Sequence, residues 1–333
     1  MHLDSILVLS ASLALGLDAG TPAQLKSTPL VLPGGTGPIA MDYLAFDPAT
    51  SRVWVPAGNT GQAVVVEAAT RQMQSVKGFP TAARGNRTVG PSSATVGDRV
   101  VYIGNRADSS ICAVDARFLE RGACVQLESL PDGIAYVATT KEVWVTTPRD
   151  KSLVVLEASG KTLKVKAKIP LEGQPEGYAV DGSRGLFYTN LEDKDTTLTI
   201  DVRTRKISAR FQPKCGKDGP RGLVVDEKTR HLLVACTDHV VVLSAVNGSI
   251  LAEAQTGAGV DNIDYLPSQR LLYVASGKTA TLTILRVGAD GSLQPVATAE
   301  TAPGARVVLV DGKGTAFIPD SAGGRLLVVE RPK

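Results

Sequence analysis

The chain has 333 residues, of which 43 % are apolar and 21 % charged, so it is able to bury a large core and is not intrinsically disordered. Its net charge of only +3 argues against a nucleic-acid-binding protein, and its 33 glycines and 19 prolines favour short strands and turns. After residue 20 no apolar run approaches the roughly 20 residues that cross a bilayer, so we expect no membrane span in the mature chain.

Residues 1–23 are predicted to be a signal-peptide-like segment. The apolar stretch Ile6–Leu17 has the length of a signal-peptide core and is short for a membrane helix. The positively charged region before it is weak, and Ala19 and Ala23 both suit a cleavage site. The alternatives are an ordinary amino-terminal helix or a missed upstream start. The segment predicts a periplasmic or secreted protein.

Beyond residue 30 the chain repeats a pattern of four short apolar runs separated by turns, roughly every 40 to 50 residues. The first runs of the repeats are 41–47, 92–98, 132–138, 176–182, 221–227, 262–268 and 306–312. Four short strands at this period predict one blade of a β-propeller. We therefore predict an all-β fold over residues 27–333: a seven-bladed β-propeller of four-stranded antiparallel blades.

The last repeat ends at Lys333 after only three strands. Residues 27–35 resemble the fourth strand and turn of the third repeat, residues 168–173. We predict that this N-terminal strand pairs into the last blade. Pairing there closes the ring, which leaves no strand edge or blade face open.

Several motifs within the repeats are specific for the architecture. They are Val53–Asn59, Leu186–Asn190, Leu272–Ser276 and the lead-ins Gly173–Gly177 and Gly219–Gly222. With these motifs the chain resembles the YVTN-type, or YncE-like, seven-bladed propellers of bacterial surfaces and periplasms, over residues 27–333. The resemblance implies export and a ligand- or partner-binding role without a shared catalytic constellation.

In a propeller, the lead-ins to the first strands and the loops between second and third strands surround one mouth of the central channel, free of packing between blades. The predicted ligand-binding residues on this face are Asp42, Arg84, Arg87, Arg106, Asp132, Arg149, Glu176, Asn190, Arg221, Asn262 and Arg306. Arginine forks suit carboxylates and phosphates, and the acids partly neutralise them. The alternative is that polar residues are simply tolerated at solvated strand starts.

The spacing of the four cysteines predicts two pairs. Cys112 and Cys124 flank a predicted hairpin turn near Phe118, and Cys215 and Cys236 could form a second bridge. An even number in an exported chain favours two disulfides. The alternatives are four reduced cysteines, or a metal site built from Cys215, Cys236 and His239.

The sequence contains none of the nucleophile-elbow, zinc-protease, P-loop or dinucleotide-binding motifs. We expect a binding module without cofactor, metal or catalysis, monomeric, whose partner is a polar small molecule or a protein. The alternative function is a metal-dependent lactonase or hydrolase, in which Asp42, Glu176 and Asn262 would hold a divalent ion.

Overall fold

The structure, a computed structural model, describes residues 21–35 and 37–332, so residues 1–20 of the predicted leader lie outside it. Within the described residues the chain forms strands and three single turns of 3-10 helix at Gly58–Thr60, Pro148–Asp150 and Gly216–Asp218. None of the helices in this part of the chain is long and apolar enough to cross a membrane.

The described residues fold into the predicted seven blades, each a four-stranded antiparallel unit. Two short strands come first, β1 (Ala23–Leu25) and β2 (Ser27–Val31). Blade 1 contains β3 (Ala45–Asp47), β4 (Arg52–Ala57), β5 (Gln62–Glu67) and β6 (Met73–Lys77). A separate hairpin follows, made of β7 (Ala82–Arg84) and β8 (Arg87–Val89). Blade 2 contains β9 (Pro91–Gly97), β10 (Val100–Asn105), β11 (Ser110–Asp115) and β12 (Arg121–Gln126).

The middle blades follow the same plan. Blade 3 contains β13 (Ile134–Val137), β14 (Glu142–Thr147), β15 (Ser152–Ser159) and β16 (Thr162–Pro170). Blade 4 contains β17 (Pro175–Asp181), β18 (Leu186–Leu191), β19 (Thr196–Asp201) and β20 (Ile207–Phe211). Blade 5 contains β21 (Leu223–Asp226), β22 (His231–Ala235), β23 (His239–Ser244) and β24 (Ile250–Gln255).

The last two blades incorporate the start of the chain. Blade 6 contains β25 (Val260–Leu266), β26 (Leu271–Ser276), β27 (Thr281–Val287) and β28 (Leu293–Glu300), and blade 7 contains β29 (Leu309–Val310), β30 (Ala316–Asp320) and β31 (Arg325–Val329). Strand β2 pairs antiparallel with β31, from Ser27 opposite Val329 to Val31 opposite Arg325. The predicted closure of the ring by the N-terminal strand is confirmed.

Strand β1 was not predicted. It adds to blade 6 as a fifth strand, parallel to β28, with Ala23 opposite Ala297. It lies before residue 27, where the sequence placed the start of the propeller. Residues 23–31 therefore add one strand to each of two neighbouring blades, blade 6 and blade 7, instead of a single strand to blade 7.

The aspartates that end several first runs form the turns between first and second strands. The carboxylate of Asp47 accepts the backbone N–H of Ala49, and that of Asp181 accepts the N–H of Arg184. Such side-chain bonds to the following backbone stabilise a tight turn. The turns lie at the end of the channel opposite the lead-ins.

The core consists of apolar layers between neighbouring blades. Trp144 of blade 3, for example, stacks on Phe187 of blade 4 with ring centroids 4.9 Å apart. The layer between blades 7 and 1 contains Phe317, Val53 and Val55, all with 0 % exposure. Each fully buried side chain of this size stabilises the fold by about 1.5–3 kcal/mol, so the layer that closes the ring contributes to its stability.

Candidate functional site

The lead-ins of blades 3, 4 and 5 share the motif Pro-x-Gly, in which x is Asp132, Glu176 and Arg221. A Cβ added at Gly177 would lie 2.1 Å from the carbonyl oxygen of Arg221. A Cβ at Gly222 would lie 2.9 Å from the Cα of Asn262. The glycines therefore allow the first strands of adjacent blades to touch around the channel, and the x residues stand at its mouth.

Strand register identifies the equivalent position in blade 6. Pro175 pairs with the last residue of β18, and Val260 pairs with the last residue of β26. Asp261 is therefore the counterpart of Glu176, and the predicted Asn262 occupies the glycine position. The amide oxygen of Asn262 accepts the N–H of Ile263 at 2.9 Å. The lead-in of blade 6 lacks the proline and glycine that mark this position in blades 3 to 5, so the motif does not reveal Asp261. Counting back from the second strand would have found it.

Charged side chains from lead-ins and loops meet at this mouth. Arg106, from the loop after β10, donates to Asp42 at 2.9 Å and also pairs with Asp132. Glu192, from the loop after β18, pairs with Arg221 in the lead-in of blade 5. Arg306 Nε lies 3.1 Å from Asp261 Oδ2. We call the set the mouth cluster. Its members are Asp42, Arg106, Asp132, Glu176, Glu192, Arg221, Asp261 and Arg306.

Glu176 differs from the other acids of the mouth cluster. Its carboxyl makes no ion pair or hydrogen bond to any described residue, although it is half-buried. Burial raises its pKa to about 8, aided by the charges of Asp261, Glu192 and Asp42 and opposed by Arg221. Burial likewise raises the pKa of Asp261, and Arg306 limits the increase. Burial thus keeps Glu176 mostly protonated at neutral pH.

Ser92 occupies the lead-in position of blade 2. Its side chain is buried, and its hydroxyl has no hydrogen-bond partner among the described residues. An unpaired buried hydroxyl is costly unless water or a ligand satisfies it. Glu176 and Ser92 are therefore two polar groups at this level of the channel that the protein itself leaves without partners.

Two tyrosines form the floor beneath the mouth cluster. The rings of Tyr43 in blade 1 and Tyr178 in blade 4 lie 5.7 Å apart, although their blades stand three positions apart around the ring. Their contact therefore crosses the channel. Burial and the nearby charges of Glu176, Asp42 and Asp261 raise the pKa of Tyr43 well above its usual value, so both hydroxyls stay protonated at neutral pH.

Several predicted ligand-binding residues lie elsewhere. Arg84 and Arg87 are exposed on the β7–β8 hairpin, and Arg149 is exposed in a 3-10 turn. These three arginines form no ion pair with the mouth cluster in the described chain. Asn190 is fully buried and donates its amide to the carbonyl oxygen of Arg221 at 2.7 Å. It positions the neighbouring lead-in and does not face the mouth.

Both predicted disulfides are present, Cys112–Cys124 and Cys215–Cys236. The second ties the lead-in that carries Arg221 to the end of strand β22. Its sulfurs are bonded to each other, so the alternative metal site with His239 is not formed, and His239 instead pairs with Asp238 at 2.6 Å. In residues 21–35 and 37–332 no group of three or more His, Cys, Asp or Glu is arranged to hold a metal ion.

No family model and no curated protein matches the chain. Solved structures do. Hydrazine synthase of Kuenenia stuttgartiensis is similar with a TM-score of 0.73 and 14% identity, over 89% of this chain and 96% of that one. A chain of the mitotic checkpoint complex is similar with a TM-score of 0.75 and 10% identity, over 100% and 99%. The Cps50 (Swd1) propeller domain of Myceliophteria thermophila gives 0.73 and 12%, over 92% and 100%. At these identities the likeness establishes the propeller fold alone.

Proposed function

We propose that this chain is an exported binding module that holds a polar small molecule, or the charged surface of a protein partner, at the mouth cluster. The observation that carries the proposal is the unpaired carboxyl of Glu176 among the paired charges of the cluster. A half-buried carboxyl that the protein does not pair is disfavoured in its charged form until a ligand supplies a hydrogen-bond donor or a positive charge.

The surroundings of Glu176 suit recognition because they are preorganised. Arg106 bridges two blades, the Cys215–Cys236 disulfide holds the lead-in of Arg221, and the aromatic floor lies beneath. Charge-assisted hydrogen bonds from such fixed groups give strong and directional binding. Arg306, whose side chain is 58% exposed, is the arginine of the cluster most accessible to an incoming anion.

Export and membership of the YVTN-type group belong to the same proposal. The two disulfides support it, because disulfides persist in oxidising compartments. The repeat motifs of the sequence support the group. A protein partner is included in the proposal because propellers also occur in assemblies, as does the similar chain of the mitotic checkpoint complex.

The test uses defined probes, namely inorganic phosphate, citrate, L-arginine and spermidine, each added to the purified chain in a thermal-unfolding assay. We expect at least one probe to raise the melting temperature of the wild type, because ligands that bind only the folded state stabilise it. The double variant Arg221→Ala/Arg306→Ala should lose a response to phosphate or citrate, and Glu176→Gln should lose a response to L-arginine or spermidine. A matched control, Arg117→Ala/Arg203→Ala, removes two exposed arginines elsewhere and should keep the response to the anion.

The proposal is contradicted if an anion that stabilises the wild type stabilises both double variants equally, if a cation that stabilises the wild type also stabilises Glu176→Gln, or if no probe stabilises the wild type. The alternative, a metal-dependent lactonase or hydrolase, predicts stabilisation by calcium, zinc or manganese that Asp42→Ala and Glu176→Ala abolish. A flat response to all three metals removes this alternative.

A further inference from the structure

The chain between β1 and β2 crosses from blade 6 to blade 7 on the outer side of the ring. Strand β1 is the outermost strand of blade 6 and β2 that of blade 7, and the crossing is made at Lys26. A recess of about 710 Å³ lies beside this crossing, between the two blades. Ligand pockets commonly have volumes of about 300–1,000 Å³, so the recess has the size of a small-molecule site.

The floor of the recess is apolar. Leu271 of β26 is buried there, and the half-buried side chains of Leu25 and Val296 pack against the core that blades 6 and 7 share. Close packing against a common core holds these side chains in place. The apolar floor is therefore formed before a ligand arrives, which lowers the ordering cost of binding.

Three basic side chains surround this floor. They come from the crossing, from strand β27 and from the residues after β31, and are Lys26, Arg286 and Arg331. All three residues are exposed, and none of their side chains has a carboxylate within 4.0 Å among the described residues. Like charges around one apolar surface repel each other, and a bound anion removes that repulsion.

One carboxylate lines the recess, that of Glu330, and its charge is already matched. Its Oε1 forms an ion pair with Arg71 at 2.8 Å, and its Oε2 accepts the hydroxyl of Thr315 at 3.1 Å. The nearby acid Glu300 belongs to a different recess along the crossing and forms no ion pair with Lys26. The recess therefore has three basic groups against one acid, and that acid is neutralised by a fourth basic group.

We propose that this recess is a second binding site, for an amphipathic anion with an aromatic or branched aliphatic body and one carboxylate or sulfonate. The body lies against Leu25, Leu271 and Val296. The anionic group meets Arg286 and Arg331, whose guanidinium donors suit carboxylate and sulfonate oxygens. The recess lies at the outer strands and the mouth cluster at the lead-ins of the first strands, so this inference is independent of the function proposed for the mouth cluster.

The test compares three probes with the same ring and different charge: 2-naphthoate, 2-naphthamide and 2-naphthylmethylammonium, each titrated into the full chain by isothermal calorimetry. We expect 2-naphthoate to bind saturably and more tightly than the other two. Arg286→Gln/Arg331→Gln should weaken 2-naphthoate about tenfold or more and change 2-naphthamide less than about twofold. Thr28→Trp, at an exposed position of β2 that lines the recess, fills it and should weaken 2-naphthoate about tenfold.

Three controls should bind 2-naphthoate as the wild type does. Arg117→Gln/Arg203→Gln removes two exposed arginines elsewhere, Thr88→Trp adds a ring at an exposed position of β8, and Arg221→Ala/Arg306→Ala alters the mouth cluster. The changes at the recess are all at exposed positions, and thermal unfolding verifies that each variant is folded.

The proposal is overturned if 2-naphthoate does not saturate at millimolar concentration or if the ammonium probe binds best. It is also overturned if the recess variants bind 2-naphthoate as tightly as their matched controls, or if the mouth-cluster variant is the one that loses it.

Discussion

Replacing Glu176 by glutamine should make the folded protein more stable at alkaline pH. The carboxyl has an ordinary pKa of 4.5 when exposed and a pKa of about 8 in the fold. Between these values the folded state keeps a proton that the unfolded state releases. Stability contributed by Glu176 is therefore complete below pH 4.5 and is lost as the pH rises to about 8, whereas glutamine keeps the neutral form throughout.

The size of the effect follows from the pKa difference. One pKa unit corresponds to about 1.36 kcal/mol, so the upper bound is about 5 kcal/mol. Solvent screening at the half-exposed channel mouth reduces it, and we expect Glu176→Gln to gain about 1–3 kcal/mol over the wild type at pH 8.5. At pH 4 the two proteins should differ by less than about 0.5 kcal/mol.

The assay is urea unfolding at half-unit steps from pH 4 to pH 9, with Glu253→Gln as the control. Glu253 is an exposed acid on β24, so its replacement removes one charge without altering the mouth. The control should follow the wild-type curve. If Glu176→Gln also follows it, the carboxyl is not held protonated in the fold, and the reasoning on the mouth cluster is refuted.

Three further predictions concern the scaffold. Gly177→Ala should destabilise the chain by about 2 kcal/mol or more, because its Cβ would lie 2.1 Å from the Arg221 carbonyl oxygen. Gly182→Ala is the control, because the nearest atom to its Cβ, a carboxylate oxygen of Glu227, lies 3.9 Å away and the change should have little effect. Equal urea midpoints of the two variants would contradict this. Removal of residues up to Val31 should lower the free energy of unfolding by about 5 kcal/mol or more, because it takes away β2. Removal up to Lys26 takes away only β1 and should lower it less. Calorimetry of both truncated chains tests this difference. Cys112→Ala/Cys124→Ala should lower the free energy of unfolding by about 3 kcal/mol, because the disulfide closes a loop with a sequence separation of 12. The unreduced wild type should take up no alkylating reagent in intact-mass spectra, and any alkylation would show a free thiol.

The blade architecture could be predicted because it depends on local pattern. Runs such as Val53–Ala57 and Leu272–Ser276 are strands by composition, and the repeat period fixes four of them per blade. The closing strand could be predicted because the last repeat lacked one. Strand β1 could not, since three residues with mostly exposed side chains carry no periodic signal, and only the edge of β28 makes them a strand.

The place of several charged residues follows from the repeat. Asp42, Asp132, Glu176, Arg221 and Arg306 come together because their positions in the repeat put them at the mouth, and their role in ligand binding stays a prediction. The sequence alone pointed to Asn262 in blade 6, because an irregular lead-in hides the register that makes Asp261 the counterpart of Glu176.

The amino-acid sequence by itself determined the number of blades, the closing strand and the charged residues brought to one face, because each depends on neighbours within a repeat. Tertiary structure decided which charges pair, since Arg106, Asp42 and Asp132 come from three different blades. It also left Glu176 unpaired and divided the channel with Tyr43 and Tyr178. Such contacts depend on side-chain reach across a closed ring, which no local pattern records.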